Sequence, residues 1–278
     1  MKILRAISVW KGLTLTEWKK LLRTGFWMLL AAAVVCASLL LYFTLTQDTQ
    51  ALSDSPKATV AHRSEGKTNG TGRGDTVLLS VPYLSQEEVL PSGCEAVSAV
   101  MLLRYYGLDV NVYEWIDRCL PCSGFWYEEG QLVNVSPAEA FIGSPYETTG
   151  LGCYAPVITR ALNDWLKEAK EPVQALDTTG TSLEELCSRY IDRGTPALVW
   201  ASIRMQPFKQ GMQWRLNGRE EQFTWLSPEH CLVLVGYDED SYYFNDPYES
   251  AGTVSYEKTL VNERFERIGM QSVVLEES

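Results

Sequence analysis

An uncharged apolar stretch from Phe26 to Leu45 sets the tightest limit on how this chain is organised. Only Ser38 and Thr44 interrupt it, and a helix of about 20 apolar residues crosses the roughly 30 Å hydrocarbon core of a membrane. The stretch is longer than the apolar region of a typical signal peptide, and no small-residue cleavage motif closes it. We therefore predict a transmembrane signal anchor at residues 26–46 rather than a cleaved signal peptide.

Basic residues flank this span unequally. The basic residues before it are Lys2, Arg5, Lys11, Lys19, Lys20 and Arg23. Within about 20 residues after the span, only Lys57 and Arg63 follow. Because positively charged flanks stay on the cytoplasmic side, residues 1–25 are expected in the cytoplasm. The rest of the chain is expected outside it, in a single-pass protein of the cell membrane.

Residues 47–75 contain no aromatic side chain and are rich in Ser, Thr, Asp and Gly. That composition is typical of a flexible linker, and His62 lies within it. The remaining residues, 76–278, suit one globular domain. The net charge of the chain is −11 and its pI is about 4.8, which argues against nucleic acid as a partner.

Cys94 begins a helical pattern directly after the turn Leu90-Pro91-Ser92-Gly93. Apolar residues recur at amphipathic helical spacing as far as Gly107, a common helix stop. A cysteine at this position meets unpaired backbone N–H groups and the positive end of the helix dipole, and both favour the nucleophilic thiolate. On these residues alone, the commoner role of a small buried apolar residue stays open.

A second pattern places a histidine and an aspartate at the same end of a hairpin. His230 leads an apolar, β-branched run that ends at Tyr237, which indicates a buried strand. Aromatic residues alternate from Tyr242 to the Asp246-Pro247 turn, which indicates a second strand. The short loop between the two strands should bring Asp246 back beside His230. A core histidine and an ordinary Asp-Pro turn are the alternatives.

The order of these residues suits a thiol nucleophile. His230 follows Cys94 by 136 residues, and Asp246 follows His230 by 16. Papain-like sites place their histidine and their Asn or Asp about 130–150 residues after the cysteine. Gln86, eight residues before Cys94, suits a donor to the oxyanion of a tetrahedral intermediate, although alone it is an ordinary polar loop residue.

Taken together, residues 76–275 resemble the C39-like cysteine peptidases, bacterial relatives of the double-glycine leader peptidases with a papain-like fold. The segments that carry the resemblance are Val81-Pro82-Tyr83-Leu84-Ser85-Gln86, Gly93-Cys94, Leu102-Leu103-Arg104-Tyr105-Tyr106-Gly107, His230 to Tyr237, and Asn245-Asp246-Pro247-Tyr248. The resemblance implies that Cys94 is the nucleophile and His230 the general base and acid. It also implies that Asp246 orients the imidazole, that Gln86 is the oxyanion donor, and that no metal or cofactor takes part.

Two carboxylates depart from the family pattern. Glu229 precedes His230 where the family commonly has a glycine, and Glu95 directly follows Cys94. If they lie close to the histidine they should raise its pKa, and they can alter the choice of substrate.

Five cysteines remain besides Cys36 and Cys94: Cys119, Cys122, Cys153, Cys187 and Cys231. Cys119-Leu120-Pro121-Cys122 resembles half of a zinc site, but the sequence offers no second CxxC, no HExxH and no spare histidine. Outside the cytoplasm we expect a structural disulfide. It joins either Cys119 to Cys122 or one of these two cysteines to Cys153. Cys231 should point to the face opposite His230 and lie in the core.

The remaining patterns predict an α+β domain. Predicted helices follow at residues 112–118, 156–167, 182–193 and 258–267, and predicted strands at 77–84, 173–176, 197–203, 253–256 and 271–275, the last at a sheet edge. Residues 119–152 are interpreted as a long irregular insert that covers the site or packs on the body. Residues 205–225 are interpreted as the second wall of a cleft. The predicted fold is therefore papain-like, with an N-terminal helix that carries the nucleophile packed on a mostly antiparallel sheet, preceded by one transmembrane helix.

These features predict a membrane-anchored, extracytoplasmic thiol peptidase that hydrolyses peptide bonds in a peptide or protein substrate. The chain has no GxxxxGK[ST] motif, so it is not itself an ATP-driven exporter, although it can act beside one. One alternative is a non-catalytic peptide-binding module at the cell surface. Another is a cysteine amidase or a transglutaminase-type acyl transferase on the same fold.

Overall fold

The structure is a computed structural model that describes residues 76–86, 90–249 and 251–277. The predicted cytoplasmic segment 1–25, anchor 26–46 and linker 47–75 lie outside the described residues. Within the described ranges, no helix is both long enough and apolar enough to span a membrane.

The described residues form five α-helices and thirteen β-strands. The helices are α1 Cys94–Tyr105, α2 Val112–Cys119, α3 Ala155–Ala169, α4 Leu183–Arg189 and α5 Lys258–Arg267. The first strands are β1 Val77–Leu78, β2 Cys122–Ser123, β3 Trp126–Glu128, β4 Gln131–Asn134, β5 Phe141–Ile142 and β6 Val173–Asp177. The later strands are β7 Ala197–Ser202, β8 Lys209–Leu216, β9 Gln222–Ser227, β10 Glu229–Tyr237, β11 Ser241–Asn245, β12 Thr253–Glu257 and β13 Ser272–Glu277.

A seven-stranded sheet forms the centre of the domain. Its order is β12-β11-β10-β7-β13-β6, and β1 pairs with the end of β10. Every pairing in this sheet is antiparallel. The predicted α+β class and mostly antiparallel sheet are therefore confirmed, as is the hairpin of β10 and β11.

Both faces of the central strands are buried, which explains why β7 and β10 are continuous apolar runs in the sequence. On one face, Trp200 and Val233 pack in a cluster with α1, α2 and α3. On the other face, Val199 and Leu232 pack in a cluster with α4 and α5. Helices therefore cover the sheet on both sides.

Helix α1 is buried on almost its whole circumference rather than along one stripe. Every residue from Cys94 to Leu103 is buried, and the helix contacts β10, α2 and α3. The prediction of an amphipathic helix is therefore wrong in this respect, because α1 lies between the sheet and two further helices. The predicted stop is confirmed, since α1 ends at Tyr105 and Gly107 has a φ of +85°.

Residues 119–152 are not irregular as predicted. They contain β2 to β5, and β3 and β4 join β8 and β9 in a four-stranded sheet of order β3-β4-β8-β9. Strands of two to four residues are too short to show an alternating pattern. β4 pairs with β8, with Val133 of β4 opposite Arg215 of β8. Because these two strands are distant in the chain, no local signal in the sequence marks this sheet. The strand predicted at residues 77–84 is likewise confined to β1.

Two further predictions are corrected. β13 lies between β7 and β6 rather than at a sheet edge, in keeping with the complete burial of Val273, Val274 and Leu275. The expected disulfide is not formed, because Cys119, Cys122 and Cys153 are all free. Cys231 lies in the core, as predicted.

Candidate active site

Cys94 is the first residue of α1, and only 6 % of its surface is exposed. A tight turn delivers it, in which the Gly93 N–H donates to the Leu90 carbonyl at 2.9 Å. A Cβ on Gly93 would lie 2.8 Å from the Leu90 Cβ, so the turn requires glycine. Cys94 therefore lies at a helix N-terminus, as predicted.

The Cys94 thiol is held in its neutral form. Its Sγ donates a hydrogen bond to Glu95 Oε2 at 3.2 Å. Burial raises the pKa of the thiol well above its usual value, and the nearby carboxylates of Glu95 and Glu229 raise it further. The helix N-terminus favours the thiolate, whereas burial and two acids favour the neutral thiol.

Glu95 is completely buried and connects Cys94 with a distant loop. Its Oε1 accepts the Cys153 backbone N–H at 2.6 Å, while its Oε2 accepts the Cys94 thiol. Burial raises the pKa of Glu95 to about 7, although these hydrogen bonds and the charge of His230 act to lower it. Glu95 therefore holds a proton at a higher pH than an exposed glutamate does.

Glu229 is the second buried acid beside Cys94. It is the first residue of β10 and is 8 % exposed. Burial raises its pKa well above the usual value, and the charge of Glu95 raises it further. Its Oε1 has no hydrogen-bond partner among the described residues. The two departures from the family pattern therefore lie together, against the predicted nucleophile.

His230 and Asp246 form a direct pair. His230 Nε2 lies 2.6 Å from Asp246 Oδ1, and both side chains are buried. This contact leaves Nδ1 as the imidazole nitrogen that is not engaged by Asp246. The hairpin of β10 and β11 thus brings the two predicted residues together, although they are 16 residues apart in the chain.

Further groups hold the Asp246 carboxylate. Its Oδ1 accepts the Tyr248 N–H at 2.9 Å, and its Oδ2 accepts the Tyr256 hydroxyl at 3.4 Å. Burial acts to raise the pKa of Asp246, but the hydrogen bond and charge of His230, with these two donors, outweigh it and lower the pKa below its usual value. Asp246 is therefore a carboxylate at neutral pH.

The two halves of the predicted site are not joined by a hydrogen bond among the described residues. Among the described residues, the Cys94 thiol bonds to Glu95 and not to His230. Residues of β10 alternate between the two faces of the sheet, and Cys231 lies in the cluster that contains Cys94. Glu229, two residues earlier, therefore shares the face of Cys94, whereas His230 points to the opposite face of β10, although its charge acts on Glu95.

Gln86 lies between the two halves and is 4 % exposed. Its backbone N–H donates to the Pro247 carbonyl at 2.9 Å, beside Asp246. Its side-chain Nε2 makes a long hydrogen bond of 3.4 Å to the Pro91 carbonyl, in the turn before Cys94. The Oε1 atom has no partner among the described residues. The amide is thus placed beside the Cys94 turn, and its role as an oxyanion donor stays a prediction.

Sequence reasoning missed Gly152 and Cys153, which complete the surroundings of Glu95. A Cβ on Gly152 would lie 2.5 Å from Glu95 Oε1 and 2.8 Å from Glu229 Oε2. Gly152 has a φ of +133°, a conformation that other residues rarely adopt. A glycine in a loop 57 residues after Glu95 carries no local signal of this contact.

Aromatic side chains of the insert are divided between packing and exposure. Phe125 packs edge-on against Trp214, and Phe141 is completely buried. Trp126 and Tyr127, in contrast, are 37 % and 76 % exposed. Phe125 and Phe141 therefore pack on the body of the domain, which is one of the two roles expected for the insert.

Comparison with known proteins gives a family match. The model of the Peptidase C39-like family matches residues 78–273, which include Gln86, Cys94, His230 and Asp246. An uncharacterized Bacillus subtilis protein, YvpB, is 25 % identical over 187 residues, which are 67 % of this chain and 70 % of that protein.

A solved structure has a similar fold. A C39-like protein from Bacillus anthracis is 27 % identical and superimposes with a TM-score of 0.63. The match covers 73 % of this chain and 98 % of that one. Nearly the whole of that structure therefore has a counterpart in this chain.

Proposed function

Because the chain belongs to the Peptidase C39-like family, we propose that it is a cysteine peptidase with Cys94 as nucleophile, His230 as base and Asp246 as orienting residue. The 2.6 Å contact between His230 and Asp246 is the observation that carries this proposal. It directs the second ring nitrogen of a buried histidine away from Asp246, in a domain where a buried cysteine begins the adjoining helix. A Cys-His-Asp arrangement on a papain-like fold uses the histidine in this way.

The proposed reaction starts from a neutral thiol. His230 Nδ1 takes the Cys94 proton as the sulfur attacks the peptide carbonyl, and the proton then passes to the leaving amine. Water hydrolyses the thioester and regenerates the thiol. Asp246 holds the imidazole tautomer and stabilises the imidazolium that forms. For this reaction, the Cys94 thiol must give up its hydrogen bond with Glu95. The His230 imidazole, which points to the opposite face of β10, must also come within reach of the sulfur.

The oxyanion of the tetrahedral intermediate needs donors close to Cys94. The Cys94 backbone N–H and Gln86 Nε2 are the proposed donors. The hydrogen bond from Gln86 Nε2 to the Pro91 carbonyl is 3.4 Å long and therefore weak. Turning the amide toward an oxyanion breaks only this weak bond. Each such donor contributes about 10²–10³-fold to the rate in comparable sites.

We propose an extracytoplasmic location for the domain. The apolar residues 26–46 would anchor it, and the linker 47–75 would separate it from the membrane. The excess of basic residues before the apolar stretch supports this orientation. The proposed substrate is a peptide or protein, and a neighbouring exporter is one source from which it could come.

The proposal is tested on the full-length protein with a pooled peptide library, analysed by mass spectrometry. We expect cleavage that is abolished in Cys94→Ala and in His230→Ala, and retained in the control Cys119→Ala. Acid quenching should trap a thioester on Cys94. Cleavage that persists in Cys94→Ala would contradict the proposal.

The other outcomes identify the alternatives. Peptides that are retained but never cleaved, by the protein and by Cys94→Ala alike, indicate a binding module. Products that carry an added amine, when glycine amide is supplied, indicate an acyl transferase.

A further inference from the structure

Cys94, Glu95 and Glu229 form a compact cluster of potential metal ligands. One ligand atom from each residue, the Cys94 Sγ and a carboxylate oxygen of each acid, lies within 4.8 Å of the other two, and all three residues are buried. Tetrahedral zinc, with Zn–S of about 2.3 Å and Zn–O of about 2.0–2.2 Å, separates such ligands by roughly 3.3–3.6 Å. The Cys94–Glu95 separation is already 3.2 Å. A small movement of Glu229 is therefore enough to form a site.

Glu229 is an independent sign of a missing ligand. Its side chain is more than nine-tenths buried, and its Oε1 has no hydrogen-bond partner among the described residues. A buried carboxylate oxygen without a partner is costly, because its hydration is lost and nothing replaces it. A cation beside this oxygen would supply the missing interaction.

Glu95 is oriented as a ligand commonly is. The Cys153 N–H holds its Oε1, and this leaves Oε2 directed at Cys94. Hydrogen bonds to the distal atoms of a ligand fix its direction and tune its basicity. Gly152 allows both carboxylates to approach the same backbone segment, since a side chain there would collide with each of them.

The cluster carries excess acid without a permanent cation. Among the described residues, neither Glu95 nor Glu229 forms an ion pair with lysine or arginine. The basic group that acts on Glu95 is His230, which is itself paired with Asp246. A divalent cation would neutralise the two carboxylates where they meet.

The ligand chemistry selects the class of metal. Calcium and magnesium take six or more oxygen ligands, whereas one thiolate with two carboxylates suits four-coordinate zinc with one open position. We propose that Cys94, Glu95 and Glu229 bind a zinc-type divalent cation, with water as the fourth ligand.

Binding changes the state of Cys94. The thiol loses its proton to solvent, as do Glu95 and Glu229 where they are protonated, and a sulfur electron pair forms the bond to the metal. Because that pair is the one a nucleophile needs, the metal-bound protein cannot attack a peptide carbonyl. Metal binding itself is independent of catalysis, but this inhibition rests on the proposed function.

Cobalt is the spectroscopic probe for this site. Full-length, reduced protein is titrated with Co²⁺ and its absorption recorded. A thiolate bond should produce charge-transfer absorption in the near ultraviolet, and a tetrahedral site should produce intense visible bands. Zn²⁺ should displace the probe and abolish both.

Matched variants locate the bound ion. We expect Cys94→Ser to lose the charge-transfer absorption, and Glu229→Gln and Glu95→Gln to weaken Co²⁺ binding by about 10-fold or more each. The controls Cys119→Ala and Glu221→Gln should bind as the unaltered protein does. Circular dichroism verifies that each variant is folded. Absence of the charge-transfer absorption in the unaltered protein, or its survival in Cys94→Ser, overturns the proposal.

Activity measurements separate this inference from the proposed function. If the protein cleaves peptides, Zn²⁺ should inhibit it, and a chelator should restore the rate. If it binds Co²⁺ through Cys94 but cleaves nothing, the metal site stands and the peptidase assignment fails. If it cleaves peptides and binds no Co²⁺, the peptidase assignment stands and the metal site fails.

Discussion

At the scale of single residues, Cys94 is subject to opposing effects. The positive end of a helix dipole stabilises a nearby anion by about 0.3–1 kcal/mol, and by up to about 2 kcal/mol in partly buried sites. Full burial can shift a pKa by about 3–5 units, each worth about 1.4 kcal/mol. The two neighbouring carboxylates add to burial. Burial and the acids therefore prevail over the dipole.

The paired acids make stability depend on pH. The ordinary pKa of a glutamate is about 4.3, and both Glu95 and Glu229 have raised values in the folded protein. The folded state therefore binds more protons above pH ~4.3, so the free energy of unfolding should fall as pH rises toward the folded values, by on the order of 1–3 kcal/mol. Urea unfolding between pH 5 and about 8, with a chelator present, measures this.

The variant Glu229→Gln removes one acid of the pair. It should flatten the pH dependence and raise stability at pH ~8, because Glu95 then meets no second buried charge. Glu221→Gln, on the exposed β8–β9 connection, should leave the profile unchanged. Asp246, whose pKa is lowered, loses its contribution only as pH falls below ~3.9 and so does not enter this window. Equal slopes in the protein and in Glu229→Gln would contradict the origin assigned to the effect.

Asp246→Asn tests the orienting residue. An amide oxygen can still accept the His230 ring N–H, but it lacks the charge that stabilises imidazolium. We expect kcat/KM to fall, by less than the ~10⁴-fold loss of the corresponding change in a serine protease, and by less than in His230→Ala. Peptide hydrolysis by the exposed-site control Asp240→Asn should be unchanged. An unaltered rate in Asp246→Asn would exclude the role.

At the scale of elements, the loop before α3 closes over the start of α1. Gly152 and Cys153 contact Glu95 and Glu229 there, and Trp200 Nε1 donates to the Cys153 carbonyl at 2.8 Å. The loop, α1 and β7 are thereby joined around the buried acids.

Gly152→Ala should disrupt this junction. The new Cβ would lie 2.5 Å from Glu95 Oε1, in a backbone conformation with a φ of +133°. We expect a loss of about 3 kcal/mol or more in the free energy of unfolding, from collision and strain together. Urea unfolding provides the measurement.

Gly130→Ala is the matched control for that change. Gly130 has a φ of +77°, and a Cβ there meets nothing within 4 Å. This substitution should lower the free energy of unfolding by roughly 1–2 kcal/mol, because alanine is disfavoured in a left-handed backbone conformation. If the two variants lose the same amount, the contact with the acids contributes nothing.

At the scale of the whole molecule, the apolar residues 26–46 predict where the protein is found. The full chain should sediment with membranes and resist extraction by salt and carbonate. A reporter that is active only outside the cytoplasm should be active when fused after the domain. A chain without residues 1–46 should be soluble, and its reporter inactive. Recovery of the full chain in the soluble fraction would contradict the anchor.

Local patterns in the sequence determined the elements that bury the site. The apolar run after His230, the aromatic alternation before Asp246 and the helix predicted from Ser182 each have a local cause, and β10, β11 and α4 follow them. The hairpin connection also brought His230 to Asp246. These features depend on neighbours in the chain, so they could be predicted.

Tertiary packing decided the chemical surroundings of Cys94. Glu95 and Glu229 are 134 residues apart, and their burial beside Gly152 and Cys153 depends on how α1, β10 and a distant loop meet. The same applies to the interior place of β13 and to the sheet formed by β3, β4, β8 and β9. Burial and contacts between distant segments, rather than local propensity, shift the pKa values here. The sequence therefore predicted the contact of His230 with Asp246 and the helix that begins at Cys94, whereas the packed domain decided that two buried acids lie beside that cysteine.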